Sequence, residues 1–432
     1  MLTPVSLSDE IEQPDLFLPR RPTTVEETGL SLSYMSDLVL RSLYVIGELT
    51  GQELSDHLAL WYEGVLDQAI RYLRREQLVE VKGAGGLSER AFRYQVTQKG
   101  VERARELGER SQYLGPAPVP LAAYSAIMQK QVIHGTIVDE QRLREAFAHL
   151  VISTTLIQEL GPAINSGRSI FLYGHAGNGK TSIAEAIARL FSDVICIPHA
   201  VIVDGQVIKV FDAIHHTEVP LPASEAAMFD RRWVYSKRPI VVTGGELNMD
   251  SLDLIYNPMS KYYEAPLQMK ANAGLFLIDD FGRQQMRPRD LLNRWIVPLE
   301  KRVDFLTLHT GKKIEVPFDQ LIIFSTNLDP KELVDEAFLR RIRYKIEVGN
   351  PTPTQYREIM RRVCTAKGVP YSDDGLRYLL TEQYAKRNLE LRSVHPRDLI
   401  DQTIDMAHFL NVQPTMSPEL LEAACRSYFV EL

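Results

Sequence analysis

Residues 169–182 read SIFLYGHAGNGKTS. The apolar run Ser169 to Tyr173 leads into Gly174, His175, Ala176, Gly177, Asn178, Gly179, Lys180 and Thr181, the pattern G-x-x-x-x-G-K-T. A helix-forming stretch from Ser182 to Phe191 follows, apolar at Ile183, Ala184, Ile187 and Leu190. A strand that ends in glycines and turns straight into a helix can wrap its backbone amides around a phosphate chain. In that arrangement Lys180 meets the β- and γ-phosphates and the Thr181 hydroxyl ligates Mg2+, with Gly174, Gly177, Asn178, Gly179 and Ser182 completing the cradle. The competing reading is a glycine turn in some other α/β domain; the strand before and the helix after weigh against it.

The acidic and polar groups that must accompany such a loop are present in order. Gly274 to Ile278 is an apolar run that reads as a doubly buried strand and ends in Asp279 and Asp280. A central parallel strand delivers its C-terminal side chains to the ligand crevice, so Asp279 is placed to hold the Mg2+ shell and Asp280 to orient an attacking water as general base. Leu321 to Phe324 forms a second buried strand, ending in Ser325, Thr326 and Asn327, whose amide can contact both the γ-phosphate and the water. Ala337, Phe338, Leu339, Arg340 and Arg341 come next, and much later His395, Pro396, Arg397, Asp398 and Leu399.

This series resembles the AAA+ ATPases over roughly Ile137 to the C-terminus: Walker A at Gly174 to Thr181, Walker B at Leu275 to Asp280, sensor 1 at Asn327, an arginine finger at Arg340 or Arg341 and a sensor 2 arginine at Arg397. The resemblance implies ATP and Mg2+ as cofactors, a ring of subunits, expected as a hexamer, and a finger that reaches into the neighbouring subunit's site. An arginine at a developing phosphoryl charge is worth about 10³ to 10⁵ in rate. A solvated basic helix end is the alternative reading of Arg340, Arg341 and Arg343. One position departs from the family, which usually has glutamate at Asp280. A carboxylate one methylene shorter must sit closer to reach the same water, and misplacement by about 1 Å costs around 100-fold.

Composition agrees with this placement. The 432 residues suggest two or three domains, and 45% hydrophobic with 24% charged residues is ordinary for a globular chain. No apolar stretch has the length of a membrane helix, and Met1 to Pro22 is acidic and proline-rich rather than signal-like. Cys196, Cys364 and Cys425 are scattered thiols, as expected in a reducing cytoplasm, so a cytoplasmic protein without membrane insertion is expected. Cys196, His199, His215 and His216 lie near one another in sequence, but structural histidines are the commoner explanation than a metal site. A formal net charge of -7 gives no global attraction to nucleic acid.

The domain reading is a disordered segment 1–29, a unit 30–112, a proline-rich linker and helix 113–136, the nucleotide core 137–350 and a helical lid 351–432. Within the second unit, Leu30 to Gly47 reads as a helix, Thr50 caps a short helix with Glu53 three positions on, and Trp61 to Glu76 reads as a third. Leu78 to Val81 and Phe92 to Val96 alternate as strands about Gly83, Ala84, Gly85 and Gly86, and Gln98 to Gly108 closes as a helix. This order resembles a winged helix domain, whose third helix would enter a DNA major groove. Arg71, Arg74, Arg75, Lys82, Arg90 and Arg93 are of the type that contacts phosphates, but acidic residues balance them, so DNA binding and protein or oligomer contact both stay open.

Two hairpins distinguish the core. One runs Ala200 to Val203, Asp204-Gly205, Gln206 to Phe211; the other runs Val303 to Leu308, a turn at Thr310, Gly311 and Lys312, then Lys313 to Val316. The second resembles the pre-sensor-1 insertion of the AAA+ branch that includes MoxR-like chaperone ATPases, magnesium chelatase, MCM helicases and RuvB, in which hairpins grip polymer in the ring pore. A hairpin that merely packs on the core is the alternative. Tyr256, Met259, Tyr262 and Tyr263 either grip a polymer or pack a loop, and Arg283, Arg287, Arg289 and Arg294 read as an exposed helix surface. The expected fold is therefore α/β, an AAA+ P-loop core with a parallel sheet, a helical C-terminal lid and an N-terminal winged helix domain. The expected function is ATP hydrolysis in a ring that remodels a macromolecule, protein before DNA. A DNA-anchored ATPase and a weakly hydrolysing nucleotide switch or scaffold stand as alternatives.

Overall fold

A computed structural model of the chain describes residues 18–84, 86, 88–133, 137–191, 193–333 and 339–429. Strands are numbered along the chain: β1 (Leu49–Thr50), β2 (Val79–Ala84), β3 (Phe92–Val96), β4 (Val119–Pro120), β5 (Ile170–Tyr173), β6 (Val194–Pro198), β7 (Ala200–Val203), β8 (Gln206–Lys209), β9 (Trp233–Lys237), β10 (Ile240–Thr243), β11 (Ile255–Asn257), β12 (Tyr262–Glu264), β13 (Leu275–Ile278), β14 (Val303–Thr307), β15 (Lys313–Pro317), β16 (Leu321–Thr326) and β17 (Tyr344–Glu347).

Strands rich in Ile, Leu, Val and Phe without polar alternation must be covered on both faces. Three of them, β5, β13 and β16, do this in the core, with the alternating β10 and β17 at the two edges: the sheet runs β10-β13-β16-β5-β17, and every neighbouring pair is parallel. Leu275, Leu277, Leu321 and Ile323 face one side, where helices Thr154–Asn165 and Lys180–Arg189 close over them. Phe276, Ile278, Ile322 and Phe324 face the other, packed with Phe171, Phe281 and Trp295. All five strands point their C-terminal ends to one edge, so Tyr173, Thr243, Ile278 and Thr326 deliver the chain to the same crevice. Beyond β17 the chain is helical: Pro353–Lys367, Asp373–Tyr378, His395–Phe409 and Pro418–Tyr428 surround their own core of Tyr356, Met360, Leu379, Leu399 and Leu421.

Both expected hairpins form. Asp204 and Gly205 adopt φ of 49° and 73°, the left-handed pair that a two-residue turn requires, and Gly311 takes φ of 83° in the second turn. The first hairpin is the centre of a mixed five-stranded sheet, β11-β12-β8-β7-β4, and β6 pairs with β9 beside it. The second hairpin buries Leu306, Leu308, Ile314 and Val316 in the same core as Val201, Ile208 and Tyr263, and Lys312 at its turn pairs with Asp204 at the other turn. The aromatic loop is packing for the most part. Tyr263 is buried, Tyr262 meets Tyr113 edge-on with centroids 5.7 Å apart, and Tyr256 stacks on His309 at 4.4 Å; Met259 alone of the four stands clear at 82% exposed. The arginine series after Walker B divides likewise: Arg283, Arg287 and Arg289 are exposed, whereas Arg294 reaches inward to the buried Asp304 at 2.5 Å.

In the N-terminal unit helices Leu32–Ile46, Gly51–Leu58, Asp67–Arg75 and Gln98–Gly108 pack on an antiparallel sheet in the order β1-β3-β2. Thr50 and Glu53 exchange both bonds of a capping box. The third helix is shorter than expected. Glu63 has ψ of 126° and Gly64 φ of 81°, which break the helical path after Trp61, so the helix begins at Asp67. Gly85, in the turn between β2 and β3, lies outside the described residues.

Two further expectations need correction. Residues 1–17 lie outside the described residues, but 18–29, expected as disordered, are structured: Arg20 bridges to Phe229, Glu26–Thr28 form a helical turn, and Val25 and Thr28 are buried. The proline-rich segment is no free spacer either. Ala117 and Val119 are fully buried, and β4 pairs with β7 in parallel through Val119 and Val201. Polar clamps complete the join. Arg232 forms a buried pair with Asp230 at 2.8 Å and donates to the Thr28 carbonyl at 2.8 Å, and Arg231 reaches Asp56 at 2.7 Å. Among the described residues no helix is long and apolar enough to cross a membrane.

Burial also settles two histidines of this region. The His216 Nδ1 accepts the Asp212 amide at 3.0 Å, its other nitrogen donates to the Lys270 carbonyl at 2.9 Å, and burial lowers its pKa to about 4; burial does the same to His199. Between about pH 6.5 and 4 the unfolded chain takes up protons that the folded chain refuses, so this stability is complete above about pH 6.5 and is lost as pH falls through 4. The thermal midpoint is expected to drop as pH is lowered from 7 to 5, and less steeply in His216→Gln. An identical slope in the variant would show that the ring is not held neutral.

Candidate functional site

The cradle forms because β5 ends against two other segments. Gly174 has φ of 133°, and a Cβ there would stand 2.4 Å from the Val348 carbonyl oxygen; Gly177 has φ of 81°, and a Cβ would stand 2.5 Å from Val394 Cγ1. Neither position tolerates a side chain, so the glycines of the motif serve the approach of neighbouring backbone as well as the turn. Gly179 then caps helix Lys180–Arg189, whose first-turn amides have no partner within the helix and face the crevice.

Five polar side chains join across the strand tips. Thr181 Oγ1 donates to Asp279 Oδ2 at 2.8 Å. Lys180 Nζ donates to Asn327 Oδ1 at 2.5 Å and to the carbonyls of Gly174 and His175 at 3.0 Å each. Asn327 Nδ2 in turn donates to Asp280 Oδ1 at 2.8 Å. The order of the sheet explains this: β16 lies between β5 and β13, so Asn327 at its tip falls between the lysine of one neighbour and the carboxylate of the other. Burial lowers the Lys180 pKa, and the charges of Asp279 and Asp280 oppose that shift.

Asp280 has φ of 48°, a left-handed conformation. It is held from behind, since Gln284 Nε2 donates to the carbonyls of Asp279 at 3.0 Å and Asp280 at 3.1 Å while its oxygen accepts the Gly282 amide at 2.7 Å.

These groups line a cleft of about 490 Å³, a volume suited to a nucleotide. Gly177, Asn178, Gly179, Lys180, Thr181, Ser182, Asp279, Asp280, Asn327 and Arg397 all lie on its wall. Gly174 supports the loop from below. Arg340 and Arg341 are not on the wall of this cleft; Arg341 Nε bonds Glu300 at 2.8 Å. Ala337 and Phe338, which precede them in the motif, lie outside the described residues. Thr181 Oγ1 and the Asp279 carboxylate offer adjacent hard oxygens, the donor type that Mg2+ prefers.

The remaining wall went unnoticed in the sequence. Leu150, Val151, Ile152, Ile359 and Val363 form its apolar side, and Arg362 donates to the Ala148 carbonyl at 2.7 Å and the Leu150 carbonyl at 3.3 Å. Ser393 and Val394 close it from the lid. None of these belongs to a motif, and only their distant partners give them a role. Among the described residues no group of His, Cys, Asp and Glu has the geometry of a metal site; burial raises the Cys196 thiol to about 12 and leaves it inert.

The contact of Val394 with Gly177 generates a test. Gly177→Ala introduces a methyl both at an unfavourable φ and against Val394, so the segment 390–398 is expected to separate from the loop and exchange its amide hydrogens faster, with little change in the N-terminal unit. Unchanged exchange there would show that the contact does not exist in solution.

Comparison with known proteins adds three findings. A family model described as "Domain of unknown function (DUF8689)" matches residues 352–427, the helical C-terminal region. No curated protein matches the chain. Among solved structures, NtrX from Brucella abortus in complex with ADP is similar at 14% identity over 65% of this chain and 56% of the NtrX chain, with a TM-score of 0.39. RuvB from Thermotoga maritima, a Holliday junction branch migration motor, is similar at 14% identity over 67% of this chain and 70% of its own, with a TM-score of 0.35. The chain thus spans little more than half the length of NtrX. The P-loop α/β fold rests on the parallel strand order and on the contacts of Lys180 and Thr181.

Proposed function

We propose that this protein is an AAA+ ATPase that hydrolyses ATP in the cleft and works as a ring, a hexamer by the family resemblance, to remodel a protein partner. The observation that carries the reading is the continuous polar chain Lys180–Asn327–Asp280 beside Thr181–Asp279. Lys180 binds the β- and γ-phosphates of the substrate, and the first-turn amides of its helix hold the phosphate chain. Thr181 and Asp279 would hold Mg2+, which would supply charge neutralisation at the phosphates. Asn327 orients the attacking water and Asp280 takes its proton as oxygen bonds to the γ-phosphorus; the bond to the β–γ bridging oxygen breaks, and ADP and phosphate leave. Arg397 on the lid faces the same cleft as sensor 2.

Arg340 and Arg341 are assigned as finger candidates for an adjacent subunit, since neither lies on the wall of the chain's own cleft. The N-terminal unit has the element order of a winged helix domain, and its ion pairs favour protein contact over DNA. Arg71 pairs with Asp67, Arg74 with Glu89 at 3.3 Å, Lys82 with Glu48, and Arg90 with Glu63 at 3.6 Å. Basic groups already neutralised within the fold release few counterions on meeting phosphates, and this removes the main source of affinity for duplex DNA. Both hairpins are tied to the insertion sheet, which supports their acting with the N-terminal unit as one platform for a substrate.

Steady-state turnover tests the reading. The wild type is expected to hydrolyse ATP at a specific rate that rises with protein concentration and is unaltered by duplex DNA. Lys180→Ala abolishes it, and Asp280→Asn lowers it about 100-fold, the cost of losing a positioned base. Arg340→Ala or Arg341→Ala subunits mixed with wild type depress the rate of the mixture beyond dilution if the finger acts across an interface. No turnover in the wild type above Lys180→Ala, with nucleotide still bound, would leave a switch rather than a motor.

A further inference from the structure

The phosphate loop is gripped from two sides by segments that are remote in sequence. On one side runs the hinge between core and lid. Val348 donates its amide to the Tyr173 carbonyl at 2.8 Å, and the next residues, Gly349 and Asn350, lead to the first lid helix. On the other side is the lid segment before helix His395–Phe409, where the Val394 amide donates to the Gly177 carbonyl at 2.8 Å.

Asn178 connects the two. It is 5% exposed, its Nδ2 donates to Asn350 Oδ1 at 2.8 Å and to the Val348 carbonyl at 3.4 Å, and its Oδ1 accepts the Ser393 amide at 3.4 Å. The polar atoms of Asn178 are thus engaged with hinge and lid and not directed at a ligand. Asn350 is the hub of the remaining contacts. Its Oδ1 also accepts from Arg392 at 2.9 Å and its Nδ2 donates to Glu390 at 3.2 Å, while Arg392 and Glu390 pair at 2.7 Å.

We infer that Asn350 is a positioning residue that latches the lid to the phosphate loop through Asn178 and Arg392, and so sets how fast nucleotide leaves the cleft. The inference rests on the cleft being a nucleotide site. Asn350 itself is exposed and is not on the cleft wall, so its effect on a ligand is indirect. The physical link is that Ser393, Val394 and Arg397 do line the cleft, and they cannot swing away without breaking the Val394–Gly177 and Arg392–Asn350 bonds. The hydrogen bond to the charged guanidinium adds to that resistance.

The experiment is stopped-flow release of a methylanthraniloyl derivative of ADP from the full-length protein, chased with excess ATP. Arg392→Met and Asn350→Leu are each expected to raise the release rate about tenfold, the loss of one charge-assisted bond. Arg392→Lys, which can still donate to Asn350 and Glu390, restores release to within about threefold of wild type. Release at the wild-type rate from Arg392→Met and Asn350→Leu would overturn the latch, as would equal acceleration in Arg392→Met and Arg392→Lys. If Asn350→Leu fails to fold, the two Arg392 variants decide the matter. Lys180→Ala separates this from the underlying reading: probe affinity equal to wild type in that variant overturns the nucleotide site itself, whereas weakened affinity there with unaltered release in the Arg392 and Asn350 variants overturns the latch alone.

Discussion

The parallel pairing of β16 between β5 and β13 is the constraint on which the rest of the site depends. Each strand brings one ingredient to its tip: the glycine loop and Lys180 from β5, the two carboxylates from β13, and Asn327 from β16. That lateral order puts Asn327 between Lys180 and Asp280, while the turn after β5 carries Thr181 past β16 to meet Asp279 directly at 2.8 Å. With β16 in the middle, a single amide spans the gap, accepting from Lys180 on one side and donating to Asp280 on the other. A slip of β16 by one residue would turn Asn327 to the opposite face and leave Lys180 bonded to its own loop carbonyls alone.

Around this fixed sheet the chain has built outward from the segment between helix Lys180–Arg189 and β10. The insertion supplies two strands to a mixed sheet that also recruits β4 from before the core and the β11–β12 pair from before Walker B. Ala200 and Val207 on that sheet pack directly into the N-terminal unit's core, next to Leu58 and Tyr113. Hydrophobic burial and the Arg231 and Arg232 clamps therefore make the N-terminal unit an extension of the insertion rather than a tethered module.

Local signals were readable wherever the physics is local. The glycine loop, the Asp204-Gly205 turn, the capping box at Thr50 and the helix Gln98–Gly108 each depend on residues within a few positions of one another. The third N-terminal helix is shorter than its pattern suggests because Tyr62, Val65, Ala69 and Ile70 keep a helical period across Gly64, whose left-handed φ interrupts the backbone without disturbing the pattern of burial. Residues 18–29 looked unstructured from their prolines and acids, yet Arg232 and Phe229, some 200 positions away, supply the partners that order them. The same holds for the cleft: its polar half announced itself by motif, whereas Leu150 to Ile152, Arg362 and Val394 are ordinary residues given a role by non-local contacts. Sequence spacing carries no record of such contacts.

Asp280 shows how the fold can fix a carboxylate shorter than that of glutamate. The shorter carboxylate loses reach, but its backbone is left-handed, with φ of 48°, and the carbonyls on both sides are tied by Gln284. That geometry turns the side chain toward the strand tip, where Asn327 Nδ2 donates to Oδ1 at 2.8 Å. A glutamate at this position would carry one more rotatable bond and would have to bend back to make the same contact. Under the proposed mechanism this fixed orientation would offset the missing methylene in the step that places one water.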